Sequence, residues 1–345
     1  AETYLVTITK QLQAQGDEVL VFCPAGRPFA AHLLDRGITP ISWKTSGKLN
    51  PRTLLGLINI IKTQHIDIVH THLTTGTFLG SVAAKFVNIP SVATVHGFYG
   101  AYWYRYPDRV IAVSEAVKRH LITSGVEEEK IRVVHNGVEI ERYHPLPTSE
   151  AKQACGFDQG LRIGMFARFS PEKGFDIALE AWASLRQDFP GAKLMLVGDG
   201  KCRRDILNLI ARLQLQDSVE LTGFVSDPRA LISACNVVLT PSLQEGLGLA
   251  ALEAMALERP VIASDAGGLP EAVIGGETGL VVPRGDARAL AAALRTLLTS
   301  PAQVEEFGKA GRRRVSERFD ASRQVLLLRD VLTAMPQGEY SVANS

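Results

Sequence analysis

Short β-branched runs alternate with amphipathic segments along the whole chain, and few folds admit that alternation: it marks βαβ units wound around parallel sheets. Read from the residues, strands fall near 18–23, 38–43, 67–71, 91–95, 109–113 and 131–134. A second series follows near 161–167, 193–197, 218–221, 236–240, 260–264 and 279–282. The intervals carry helical periodicity, as in Leu54, Leu57, Ile58 and Ile61 on one face. Lys193-Leu194-Met195-Leu196-Val197 and Val237-Val238-Leu239 read as strands covered on both faces, being almost apolar throughout. The polar stretch 145–160, with Pro145, Pro147 and Gly156, separates the two series and is the expected linker. A chain of 345 residues exceeds what one core usually holds, so the series are expected to form two domains.

The bulk composition excludes several function classes. Lys and Arg number 37 against 36 Asp and Glu, which leaves no overall field to hold nucleic acid by counterion release. Cys23, Cys155, Cys202 and Cys235 lie far apart without a CxxC pair, so neither a zinc cage nor a disulfide framework is expected, and a reducing cytoplasm fits best. No apolar run reaches the ~18 residues of a membrane span, and the start carries no signal or transit segment. Ala1-Glu2-Thr3-Tyr4-Leu5 runs directly into a helix with no Met and no strand before it, which reads as a fragment. Gln337 to Ser345 reads as a disordered tail.

In parallel sheets ligands bind beyond the carboxyl ends of the strands, which directs attention to the residues just after each one. Arg168-Phe169-Ser170-Pro171-Glu172-Lys173-Gly174 places two cations where a diphosphate could be held at a helix start, or else two solvated surface charges. Val197-Gly198-Asp199-Gly200 lets backbone approach a ligand, or simply turns the chain. After the strand near 236–240 comes Glu245-Gly246-Leu247-Gly248-Leu249-Ala250-Ala251-Leu252-Glu253. With 246–253 helical, its two carboxylates stand roughly 10–12 Å apart along the axis, enough for a sugar at one end, a ribose at the other and pyrophosphate between. The bland reading makes Glu245 a helix-start carboxylate and Glu253 a solvated one. Leu249, Ala250, Leu252, Ala254 and Met255 give Glu253 an apolar setting, however, so a ligand or a specific partner is expected for it.

The E-G-x-G-x-x-x-x-E arrangement, the R-x-x-x-x-K-G run and the G-D-G loop together resemble the retaining GT-B glycosyltransferases of family 4. Val95-His96-Gly97, Val113-Ser114 and Asn136-Gly137-Val138 extend the resemblance over nearly the whole chain. It implies an α/β fold of two Rossmann-like domains with the active site in the cleft between them. The implied boundaries are 1–145 for the acceptor-side domain, 146–320 for the donor-binding domain, 321–336 for a helix packing back on the first domain, and 337–345 for the tail.

The resemblance also assigns roles. Arg168 and Lys173 would hold the donor diphosphate, Glu253 the ribose hydroxyls, and Glu245 the transferred sugar with the amides of Gly246, Leu247 and Gly248. Gly198 would lie near the donor, Phe224 and Val225 would border the base, and His96 would meet the sugar near its reacting carbon. His72, Tyr99, Ser114 and Asn136 are the acceptor-side candidates. The co-substrate is a nucleoside-diphosphate sugar, with no cofactor and no metal; His70 and His72 alternate at strand spacing but lack an evident third ligand. The implied reaction is front-face transfer with retention to a glycan or lipid-linked acceptor of cell-envelope polysaccharide or lipopolysaccharide synthesis. The implied place is the cytoplasm, with peripheral contact to the membrane as a further expectation; the aromatic run Phe98 to Tyr106 reads as an acceptor pocket, a contact with lipid headgroups, or plain structural packing. Competing readings are a nucleotide-sugar epimerase of the same architecture and a non-catalytic sugar-nucleotide-binding protein.

The family normally opens with a strand and a glycine-rich turn, and here only Ala1-Glu2 match the end of its G-G-A-E pattern. That first strand is central in such sheets, so its neighbours are expected to lack a partner on one side and the fragment to be impaired in donor binding or stability.

Overall fold

The computed structural model describes residues 2–26, 28–43 and 50–335; Ala1 and the tail expected at 337–345 lie outside them. The strands are β1 Phe22–Pro24, β2 Ile41–Trp43, β3 Val69–His72, β4 Ser91–Val95, β5 Arg109–Ala112 and β6 Ile131–Val133. The second series comprises β7 Arg162–Phe166, β8 Lys193–Val197, β9 Val219–Gly223, β10 Val237–Thr240, β11 Val261–Ser264 and β12 Gly279–Val282. Helices join almost all of them, and the first described element is the helix Glu2–Ala14.

The chain divides into two compact units, Ala1–Gly137 with Ala321–Ser345, and Val138–Asp320. The division falls before 145 because the segment after Gly137 already lies on the second unit. Val138 N–H donates to the Phe319 carbonyl at 2.8 Å, and Arg259 donates to the Leu146 carbonyl at 2.7 Å. Pro145 and Pro147 therefore mark an extended surface run rather than the boundary itself. The helix Ala321–Thr333 belongs to the first unit, where Val325 and Leu328 share a buried cluster with Tyr4, Ile8 and Leu12 of the first helix. Arg329 closes that contact with a two-pronged ion pair to the Asp17 carboxylate at 2.9 and 3.0 Å.

The second unit holds one six-stranded parallel sheet, ordered β12-β11-β10-β7-β8-β9. Its first strand, β7, is thus central, flanked by β8 and β10. The four inner strands β7, β8, β10 and β11 are almost wholly buried on both faces, and on one of those faces Ile163 and Met165 of β7, Leu194 and Leu196 of β8 and Leu239 of β10 pack with Leu179 and Trp182 of the helix Phe175–Leu185.

The first unit differs at the equivalent place. Its parallel strands form two separate sheets, β1-β2 and β3-β4-β5-β6, and β1 and β3 each pair on one side only among the described residues. A cavity of about 1170 Å³ is walled by both open edges and by Ile8, Val21, Ile61, Ile68 and Leu79. β1 and β2 are three residues long, shorter than the sequence expectation. A chain extended ahead of Glu2 by a β-branched apolar strand is expected to pair both edges and to melt more than about 4 °C higher. Equal melting temperatures for the two versions would count against this.

Candidate functional site

All six strands of the second unit point the same way, so the loops after them emerge at one edge. Arg168 and Lys173 follow β7, Gly198 follows β8, Phe224 and Val225 follow β9, and Glu245 follows β10, which are four neighbouring strands in the order β9-β8-β7-β10. Backbone contacts lock these loops together. Phe169 N–H donates to the Asp199 carbonyl at 2.9 Å and Leu243 N–H to the Glu172 carbonyl at 2.8 Å. Gly174 sits at φ +74° with no room for a Cβ, which would run into the Pro241 carbonyl. Gly174→Ala is accordingly expected to cost more than about 1 kcal/mol of stability, read by denaturant titration.

Lys173 and Glu245 meet directly. Lys173 Nζ lies 2.7 Å from Glu245 Oε2, with their side chains 20% and 19% exposed, and Ser242 Oγ donates to the same oxygen at 3.1 Å. Glu245 Oε1 has no protein partner among the described residues. The helix that follows runs Leu249–Ala256, not from 246 as the spacing argument assumed, because Gly248 caps it at φ +96°. The amides of Gly246, Leu247 and Gly248, in the buried turn ahead of that helix, donate to no acceptor among the described residues, and the buried Leu247 side chain anchors the turn. Three unspent N–H groups at a helix N-terminus, beside an ammonium, form a place for anionic oxygens.

Arg168 is not part of that pair. Its side chain is 71% exposed and bonds Glu172 at 3.0 Å, a surface contact worth little that leaves the guanidinium free to swing. Phe224, 78% exposed, offers an open ring face just after Gly223.

Glu253 has the partner that its apolar setting demanded. Tyr143 Oη donates to Glu253 Oε1 at 3.0 Å, a contact spanning 110 residues that nothing in the sequence announced. Burial pushes the Glu253 carboxyl up to about 7; Asp227 adds to the rise, while the Tyr143 hydrogen bond and Arg142 oppose it. No contact joins Glu253 to the Lys173–Glu245 pair among the described residues.

In the first unit His72 closes β3, and His96, Ser114 and Asn136 follow β4, β5 and β6 at the corresponding edge. His72 Nδ1 and His96 Nε2 are 3.1 Å apart, and the two rings stack with Tyr4 edge-on to both. His70 Nε2 bonds Thr94 Oγ1 at 2.7 Å. Burial pushes all three imidazoles down, His70 to about 4 and His96 to about 3, so they are neutral around pH 7. Among the described residues no cluster of three His, Cys, Asp or Glu is placed to hold a metal ion.

Ser114 has a different part from the one expected. It is wholly buried and its Oγ accepts from Val117 N–H at 3.1 Å, capping the helix Glu115–Thr123, so it is out of reach of an acceptor. Asn136 is buried as well, with its Oδ1 unpartnered. In the aromatic run Tyr104 is buried and Trp103 packs on Phe78, whereas Tyr99, Tyr102 and Tyr106 are exposed. No described helix is long and apolar enough to cross a membrane.

Comparison with known proteins bears on what this edge serves. The family model described as Glycosyl transferases group 1 matches residues 149–314, and that described as Glycosyltransferase Family 4 matches residues 1–142. The chain belongs to the family 4 glycosyltransferases. An uncharacterised glycosyltransferase of Methanocaldococcus jannaschii is 29% identical over 289 residues, covering 79% of this chain and 77% of that protein. The capsular polysaccharide biosynthesis glycosyltransferase CapM of Staphylococcus aureus is 28% identical over 295 residues, covering 78% and 77%. The crystal structure of Anabaena Alr3699/HepE in complex with UDP and glucose superposes with a TM-score of 0.86 at 24% identity, covering 97% and 96% of the two chains. That likeness establishes the GT-B fold of two Rossmann-like domains for this glycosyltransferase.

Proposed function

We propose that this glycosyltransferase moves a sugar from a nucleoside diphosphate to a hydroxyl of a glycan or lipid-linked acceptor in polysaccharide synthesis, with retention and without a metal. The observation that carries the proposal is the Lys173 ammonium beside Glu245 and the three unspent amides of Gly246, Leu247 and Gly248. Charge develops on the departing phosphate as the glycosidic bond breaks, and fixed cations and N–H dipoles at that place lower the barrier without a divalent ion. Arg168 reaches the same phosphates from its exposed position. Glu245 Oε1 accepts from a sugar hydroxyl, Glu253 from the ribose, and Phe224 with Val225 borders the base near Gly198. His96 and His72, being neutral, act through hydrogen bonds rather than charge, and Tyr99 and Asn136 are proposed as acceptor contacts.

The relative named for capsular polysaccharide biosynthesis supports the acceptor class, and the neighbour solved with UDP supports the donor class. A thermal-shift panel of UDP-, GDP- and ADP-sugars identifies the donor. With that donor, release of nucleoside diphosphate that requires a glycan acceptor and persists in EDTA is the expected result. Interconversion of the donor sugar with no acceptor would point to an epimerase instead.

A further inference from the structure

We propose that Tyr143 is a positioning residue for the ribose-binding carboxylate: its hydroxyl anchors Glu253 Oε1 so that Oε2 is presented to the ribose hydroxyls of the nucleotide. The proposal rests on the reading that Glu253 takes the ribose.

Three features of the second unit support it. Oε1 accepts from Tyr143 at 3.0 Å, and Oε2 has no protein partner among the described residues. Burial raises the Tyr143 phenol well above its ordinary range, so it stays protonated and donates. The Tyr143 backbone is also held in place from two sides. Arg312, from the helix Pro301–Arg318, donates one guanidinium nitrogen to the Tyr143 carbonyl at 2.8 Å and to the carbonyl of Ala256, the last residue of the helix that carries Glu253. One side chain thereby fixes the distance between the tyrosine and that helix. On the other side Arg229, gripped by Asp227 at 2.8 Å, donates to the Arg142 carbonyl and lies 6.0 Å from the Tyr143 ring centre. A surface tyrosine of no consequence needs none of this.

A carboxylate is most useful to a diol when its plane is fixed, because each hydroxyl then meets a lone pair without loss of rotamer freedom. A tyrosine bond to one oxygen supplies that restraint and leaves the other oxygen, and the second lone pair of the first, for the ligand.

The test uses the whole chain and the nucleoside diphosphate, among UDP, GDP and ADP, that binds it, together with its 2′-deoxy and 3′-deoxy counterparts. Tyr143→Phe keeps the ring against Arg229 and removes only the hydroxyl; an unchanged melting profile confirms that the variant folds. Expected is a roughly tenfold weaker affinity of Tyr143→Phe for the ribonucleotide and less than about twofold for the deoxy forms, so that discrimination collapses. Donor KM rises by the same factor while kcat stays within about twofold. Equal weakening of ribo and deoxy ligands, or tighter ribonucleotide binding by the variant, overturns the proposal. If the unmodified protein itself binds deoxy and ribo forms equally, the ribose reading of Glu253 fails, and that result is visible without any variant.

Discussion

Replacing Lys173 by alanine is expected to lower kcat/KM for the donor by ten- to a hundredfold or more. The reason lies in what the ammonium replaces. A charged hydrogen bond is worth roughly 1.5–3 kcal/mol, and each 1.36 kcal/mol removed from transition-state stabilisation is tenfold in rate. Lys173 qualifies for the upper part of that range because it is 20% exposed and already held by Glu245 at 2.7 Å, so little reorganisation is needed when phosphate charge appears. The alanine variant leaves Glu245, 19% exposed, without its cation, so a fall in melting temperature accompanies the loss of rate. Lys173→Arg separates the two effects: it keeps the charge near Glu245 and restores stability, but its planar fork places the cation differently and recovers rate only in part. Single-turnover rates at saturating donor read the chemical step alone. A Lys173→Ala rate within about threefold of the unmodified enzyme would remove the ammonium from the mechanism.

The positions of the inner strands were legible because buried parallel strands must be apolar on both faces, and runs such as Lys193–Val197 meet that requirement at strand length. The positions of the site loops followed, since parallel strands send all their carboxyl ends to one edge. What the sequence concealed was local conformation and distant contact. Gly248 adopts a left-handed cap, which moves the helix start from 246 to Leu249. Ser114, an acceptor-side candidate by resemblance, spends its hydroxyl as a helix cap. Tyr143 lies 110 positions from Glu253, and no periodicity relates the two; the only signal was that a carboxylate among Leu252, Ala254 and Met255 needed some partner. In the first unit the separation of the parallel strands into β1-β2 and β3-β4-β5-β6 has no signal in the apolar pattern.

Nucleotide-sugar binding is expected to weaken as the pH falls through about 7, and the cause is Glu253. Its carboxyl is pushed up to about 7, first by burial and then by Asp227, against the pull of the Tyr143 hydrogen bond and Arg142. Only the ionised form accepts from both ribose hydroxyls, so the donor stabilises the deprotonated protein. With such a midpoint the ionised fraction drops from about nine-tenths at pH 8 to a few per cent at pH 5.5, a roughly thirtyfold loss of affinity. The intact sugar nucleotide is the right ligand, because its diester phosphates do not titrate in this window as a terminal phosphate does. The free protein shows the opposite sign. A carboxyl raised above its unfolded value of 4.5 contributes stability that is full below that pH and is lost as pH rises through about 7. The melting temperature of the unliganded protein, relative to Glu253→Gln, should therefore fall between pH 4.5 and 7.5 while the shift produced by donor grows. Glu253→Gln flattens both curves. If donor affinity is independent of pH from 5.5 to 8 in the unmodified protein, Glu253 is either ionised throughout or does not touch the nucleotide.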